Sequence, residues 1–190
     1  MTAKLTAKGE ARRSAIIETA AALVSAAGPD ALSHRAVASA AGLPLAATTY
    51  YFDSLDDLLV AAVGRILQGE REQVDRAVAA LPRRTRSAAA TAEHVVDVVL
   101  GPGRTGDGEL HSLYERFLAC GRYPGLRPLL REARARIDVA LAELLERSGR
   151  PAADGATLIL LIDGSVISAL VEGDGSARRR AEAAVTAALG

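Results

Sequence analysis

Two short helical runs joined by Ala41-Gly42-Leu43-Pro44, the second closing on Tyr50-Tyr51-Phe52, constrain the fold of this chain more than any other feature. Those three residues are half of its aromatics, and Tyr114, Phe117 and Tyr123 lie far downstream. A small, glycine-containing turn between two short helices, the second with an aromatic tip, is the layout of a helix-turn-helix, whose second helix meets DNA.

The rest of the chain also reads as helix, because Ala, Leu, Arg and Glu dominate and no alternating apolar run is bounded by hairpin signals. The expectation is an all-α protein. A first helix is expected over about 10–27, with Ile16, Ala20, Leu23, Val24 and Ala27 on one face and Gly28-Pro29 ending it. Ser33 reads as the N-cap of a short helix to Ala40, Gly42 as the turn, and Pro44 as the start of a helix carrying Leu45 to Tyr51. Ser54 caps a long helix to about Ala80, with Asp56 and Asp57 in a first turn where the helix dipole favours acids.

Leu81-Pro82 breaks that helix, and the basic run Arg83-Arg84-Thr85-Arg86 leads into another over about 87–100. GPGRTGDG, residues 101–108, is a loop. Further helices are expected over about 109–121, 126–148, 152–171 and 176–189, with no internal repeat. The domain boundary is placed inside the long helix. Residues 1–54 form a helix-turn-helix domain, the motif itself over about 33–52, and 55–190 a C-terminal helical bundle joined to it through a shared element rather than a linker.

With 23 basic and 23 acidic residues the formal charge is +0, so no global field draws the chain onto nucleic acid, and DNA binding must come from local arrangement. Within residues 1–52, Lys4, Lys8, Arg12, Arg13 and Arg35 face only Glu10, Glu18 and Asp30. Lys4 and Lys8, the only lysines, fall in an N-terminal arm that reads either as a phosphate contact or as a solvated tail. No uninterrupted apolar run reaches the roughly 18 residues of a membrane span, and the first ten residues lack the apolar stretch of a signal peptide. A single cysteine, Cys120, makes no internal disulfide, in keeping with a reducing compartment. The expectation is a cytoplasmic protein without membrane, metal or cofactor.

The ordered set from Leu32-Ser33-His34-Arg35-Ala36-Val37-Ala38 through Ala41-Gly42-Leu43-Pro44 to Tyr50-Tyr51-Phe52, then Ser54 and Leu58-Leu59, resembles the N-terminal domain of the TetR family of bacterial repressors. The match covers about residues 10–64. The resemblance implies a homodimer that places one short helix of each subunit in the major groove of a palindromic double-stranded operator, with half-sites about 34 Å or a multiple apart. It also implies a larger C-terminal helical domain that pairs subunits and holds an inducer.

Carried over by position, Ser33 and His34 would meet phosphate, and Arg35 phosphate or a base edge. Leu45, Ala46, Ala47, Thr49, Tyr50 and Tyr51 would form the reading face, with the alternative that one of the two tyrosines packs inward. Thr48 stands where the family buries a Leu, and Phe52 where it plugs the small domain's core. The chain departs from the pattern at Thr49, where many relatives carry Tyr, and at Leu55, where many carry a phosphate-contacting Lys. Readout is therefore expected through thymine methyls, hydroxyls and DNA shape.

Beyond about residue 80, periodicity alone guides the reading. Leu126, Leu129, Leu130, Ala133, Ile137, Leu141, Leu144 and Leu145 form one stripe, and residues 157–170 are apolar nearly all round, which demands burial on every side. A second subunit is the favoured cover, with Leu129, Ile137, Leu144, Leu158, Leu161, Ile162, Ser165 and Ser168 as interface residues and Gly164 permitting close approach. Burial under the last helix is the alternative. Asp163, inside the apolar run, needs a partner, and Arg134 or Arg136 is the candidate. A small apolar effector is expected near His94, Tyr114, Phe117, Leu118 and Cys120, each of which also has an ordinary packing or surface reading.

Catalysis finds no support. Cys120 with His94 or His111 has no nucleophile signature, and GPGRTGDG lacks the Lys-Ser/Thr ending of a phosphate loop. Two readings remain: a homodimeric, ligand-responsive repressor, and a dimeric helical adaptor that has lost operator binding.

Overall fold

The computed structural model describes residues 6–190, so Lys4 lies outside the described residues. Every regular element among them is helical: α1 Ala7–Ala27, α2 His34–Ala40, α3 Leu45–Tyr51, α4 Leu55–Ala80, α5 Ala88–Leu100, α6 Asp107–Gly121, α7 Arg127–Arg147, α8 Gly155–Glu172 and α9 Ala177–Leu189. The all-α expectation holds. The described residues divide into two compact units, one of residues 6–68 with 115–130 and the other of residues 69–114 with 131–190. The two units part within α4 at residues 68 and 69 rather than at 54 and 55, and residues 115–130, a returning segment, belong with the first unit.

In the first unit, α1 buries Ile16, Ala20, Ala21 and Val24, while Ala27 stays exposed. Their side chains meet Val37, Phe52, Leu58, Leu59 and Ala62, together with Cys120 and Leu126 from the returning segment. α1 starts at Ala7, capped by the Thr6 hydroxyl, which accepts from Gly9 N; Lys8 therefore sits in the first helical turn rather than in an irregular arm. Gly28, at φ 77°, ends the helix. Arg122 and Tyr123 both bond Asp30, at 2.7 and 2.6 Å, and so tie the returning segment to the turn after α1.

The second unit is built on α5, α8 and α9, which pack on one another through Val95, Val96, Ile159, Ile162, Val166, Ala181 and Val185. α8 begins at Gly155, three residues later than expected, because residues 151–153 form a turn and Asp154 caps the helix by accepting from Ala156 N. By length and composition α8 could cross a membrane, with a mean hydropathy of 1.7 over 18 residues. Instead, Leu158, Ile159, Ile162, Val166 and Ala169 are buried in the core that α8 shares with α9.

The basic run after α4 closes the end of α7. Arg86, 7% exposed, donates to the carbonyls of Pro82, Arg84 and Arg147, and its own N–H bonds the Ser148 carbonyl at 3.2 Å. A guanidinium held by carbonyl oxygens at a helix C-terminus is stabilised by the negative end of the helix dipole. Gly149, at φ 77°, completes this end: Arg150 N donates to Leu145 O and Gly149 N to Glu146 O, the paired bonds of a Schellman cap.

Candidate nucleic-acid interface

The helix-turn-helix is fixed by local chemistry at each joint. Ser33 accepts from Ala36 N at 3.1 Å and caps α2. α2 ends in a Schellman cap, with Leu43 N donating to Ala38 O at 2.9 Å and Gly42 N to Ser39 O at 3.2 Å. That cap requires positive φ at Gly42, observed at 63° and favourable only without a Cβ. Pro44, in extended conformation, then directs the chain into α3, whose first internal bond runs from Ala47 N to Pro44 O. Ser54 closes the motif by accepting from Asp57 N and donating to the Asp57 carboxylate at 2.7 Å.

Inside this frame α3 has one buried side and one open side. Thr48 is 0% exposed and its hydroxyl donates to Leu45 O at 2.8 Å, so a polar side chain is accommodated in an apolar position. Phe52 is buried in the first unit's core. The open side carries Leu45 at 48% exposure, Ala46, Thr49 and Tyr50 at 74%. Ser33 and Arg35 are exposed on α2, and Ala47 is half-buried.

Tyr51 departs from a fully open reading face. Its ring is half-buried against the first core and meets Tyr50 edge-on, with centroids 5.0 Å apart. The aromatic pair therefore divides, Tyr50 pointing out and Tyr51 supporting it from the core side. His34 is half-buried, and its Nδ1 atom is enclosed with no hydrogen-bond partner.

The five residues assigned to an effector site do not gather within one unit. His94 and Tyr114 belong to the second; Phe117, Leu118 and Cys120 belong to the first. Cys120 is a core side chain packed with Ile16 and Phe52, and burial pushes its thiol up against the opposing influence of Arg116. Phe117 and Leu118 are exposed, and His94 is half-buried. Tyr114 spends its hydroxyl on Asp163, at 2.8 Å. A surface cleft of about 450 Å³ in the second unit is lined by Asp138, Ala142, Leu145, Glu146, Pro151 and residues 153–156, none of them among the five. Among the described residues no His, Cys, Asp and Glu side chains cluster as metal ligands would.

The residues assigned to subunit pairing also divide. Leu144, Leu158 and Ile162 are at most 3% exposed in the single chain, already covered within the core of their own unit, and so leave no surface to a partner. Leu129 packs on the first unit's core, Ile137 and Leu161 are half-buried against the second, Ser165 is half-buried and Ser168 exposed. What α8 leaves uncovered is the opposite face: Leu160 at 68%, Ile167 at 44% and Val171 at 83% exposure, with open space at Gly164. Sequence reasoning missed this face because a helix apolar nearly all round has no period to mark its inner side.

Two family models match the chain. The family model described as bacterial regulatory proteins, tetR family, matches residues 16–62, and that described as tetracyclin repressor-like, C-terminal domain, matches residues 86–190. Among solved structures, the chain is similar to the multidrug binding protein EbrR complexed with proflavin, at 30% identity over 93% of this chain and 99% of that one, with a TM-score of 0.67. It is similar to EbrR complexed with ethidium at 32% identity, over 94% and 99% of the two chains, with a TM-score of 0.66. A TetR-family member from Streptomyces coelicolor aligns at 33% identity over 94% and 98% of the two chains, with a TM-score of 0.59. No curated protein sequence matches.

Proposed function

The chain belongs to the TetR family of bacterial regulatory proteins, DNA-binding regulators rather than enzymes, and from that membership we propose that it acts in the cytoplasm as a homodimeric repressor, released from a palindromic operator by a small organic effector. The observation that carries this reading is the two-sided α3. Thr48 and Phe52 lock one side into the core, leaving Leu45, Ala46, Thr49 and Tyr50 free for a groove. α3 spans seven residues, about 10 Å, which fits a major groove about 12 Å wide.

Pairing of two subunits through the open face of α8 is supported by its composition. Leu160, Ile167 and Val171 form an apolar strip along one side, and Gly164 lets a second helix approach closely. Two-fold symmetry then matches an operator of repeated half-sites. An organic effector is supported by the similarity to a protein solved with proflavin and with ethidium.

The test is selection of bound sequences from random duplex DNA by the full chain. Enrichment of a palindrome, followed by its release on addition of organic cations such as ethidium, is the expected result. Failure to enrich any palindrome at low salt would replace the repressor with the adaptor.

A further inference from the structure

Helices α1 and α2 carry cations that no acid among the described residues neutralises. Among the described residues no carboxylate lies within ion-pair distance of Lys8, Arg12, Arg13 or Arg35, all of them exposed. Two of the nearby acids are already engaged: Glu18 by Arg65 at 2.5 Å and Asp30 by Arg122 at 2.7 Å. One of the four cations has a defined position. The Arg13 guanidinium carbon lies 5.1 Å from the centroid of the Phe52 ring, and Phe52 is the buried residue that closes α3. A guanidinium over an aromatic face is held by the ring's quadrupole while its N–H edge stays free to donate.

That position has a consequence for DNA. A helix about 10 Å long in a groove about 12 Å wide brings its ends to the groove walls, and the walls are rows of phosphate. Phe52 marks one end. Asp53 follows it in the chain, and α4 opens on Leu55, Asp56 and Asp57, so the side chains beside that end of α3 are apolar or acidic and offer phosphate no cation. Arg13 is the cation fixed at that corner.

We propose that Arg13 binds a backbone phosphate at the groove wall beside the C-terminal end of α3, making α1 a second DNA-contacting element. The proposal rests on the operator-binding reading above. A phosphate contact positions the protein and carries no base preference, so its loss weakens operator and random DNA by the same factor.

The experiment measures affinity of the full chain for its selected palindrome across a salt series, with Arg13→Ala and Arg13→Lys and a thermal melt of each. For Arg13→Ala the slope of log affinity against log salt is expected to become shallower by about 0.9 per subunit contact, with the melting temperature retained. Arg13→Lys keeps the charge and is expected to keep the wild-type slope. An unchanged slope for Arg13→Ala, or a Lys variant as shallow as the Ala variant, would overturn the proposal. Wild-type protein that selects no palindrome would overturn the operator-binding reading and this proposal with it; wild-type binding with an unaffected Arg13→Ala slope would overturn this proposal alone.

Discussion

The phenolic hydroxyl of Tyr114 donates to Asp163 Oδ1 at 2.8 Å, while Arg134 reaches the other carboxylate oxygen only at 4.0 Å. The acid in the middle of α8 is thus held mainly by a neutral partner from α6. Arg136, the other candidate, pairs with Glu132.

Removing that hydroxyl leaves the half-buried Asp163 with a single distant cation. Tyr114→Phe is expected to cost about 1–2 kcal/mol in a urea unfolding experiment, within the range for hydrogen bonds to charged groups. An unchanged midpoint would show that water replaces the bond without loss.

The same pair sets an alkaline limit. Burial, and then the Asp163 charge, push the Tyr114 phenol well above its ordinary 10.0. Above that pH the unfolded chain releases a proton that the native state keeps, so stability present at neutral pH falls as pH rises past about 10. Tyr123, raised first by its bond to Asp30, adds in the same direction. Spectrophotometric titration should find a phenol ionising above the ordinary tyrosine range that is absent from Tyr114→Phe, and that variant should flatten part of the alkaline decline.

Arg86 offers a sharper stability test because its buried side chain serves three backbone carbonyls. Arg86→Leu is expected to cost about 3 kcal/mol by chemical denaturation, since several acceptors lose their donor together. Arg83→Ala, which breaks only the exposed pair with Glu146, should stay within about 0.5 kcal/mol.

Subunit pairing and folding should separate by position on the bundle. Leu160→Glu on the open face of α8 is expected to give a folded monomer by light scattering at micromolar concentration. Leu144→Ala, inside the core, should instead lower stability by about 2–5 kcal/mol and leave pairing intact. A dimeric Leu160→Glu variant would place the interface elsewhere.

On the reading face, Tyr50→Ala is expected to weaken operator binding by about 1–3 kcal/mol in a titration of labelled duplex. Tyr50→Phe separates the hydroxyl from the ring. Affinity equal to wild type in both variants would remove Tyr50 from the interface.

Helix positions are legible in the sequence because their ends carry explicit chemistry. Ser33, Ser54 and Ser87 cap α2, α4 and α5 through their hydroxyls, and glycines at 28, 42, 101, 149 and 173 take positive φ at helix ends. The start of α8 is harder to place because Pro151 resembles a first-turn proline and hides the cap at Asp154. The inner face of α8 has no sequence signal, since an apolar residue stands on nearly every side and the helices packed on it, α9 foremost, decide which side is covered. Tyr114 reads as a pocket residue for the same kind of reason: its partner lies 49 residues away, and no local pattern announces such a bond.

The balanced composition, 23 basic against 23 acidic residues, has a consequence for search rather than grip. A strongly basic protein is detained by every stretch of the chromosome it meets, because phosphate attraction is blind to sequence. Here Lys8, Arg12, Arg13 and Arg35, without an acid partner among the described residues, sit on α1 and α2, so long-range pull is weak and, with α3 as the proposed reading helix, attraction is expected to grow only once it faces a groove. Such a molecule is expected to spend little of its time on random DNA, leaving more of a small cellular pool free to occupy the few sites it recognises.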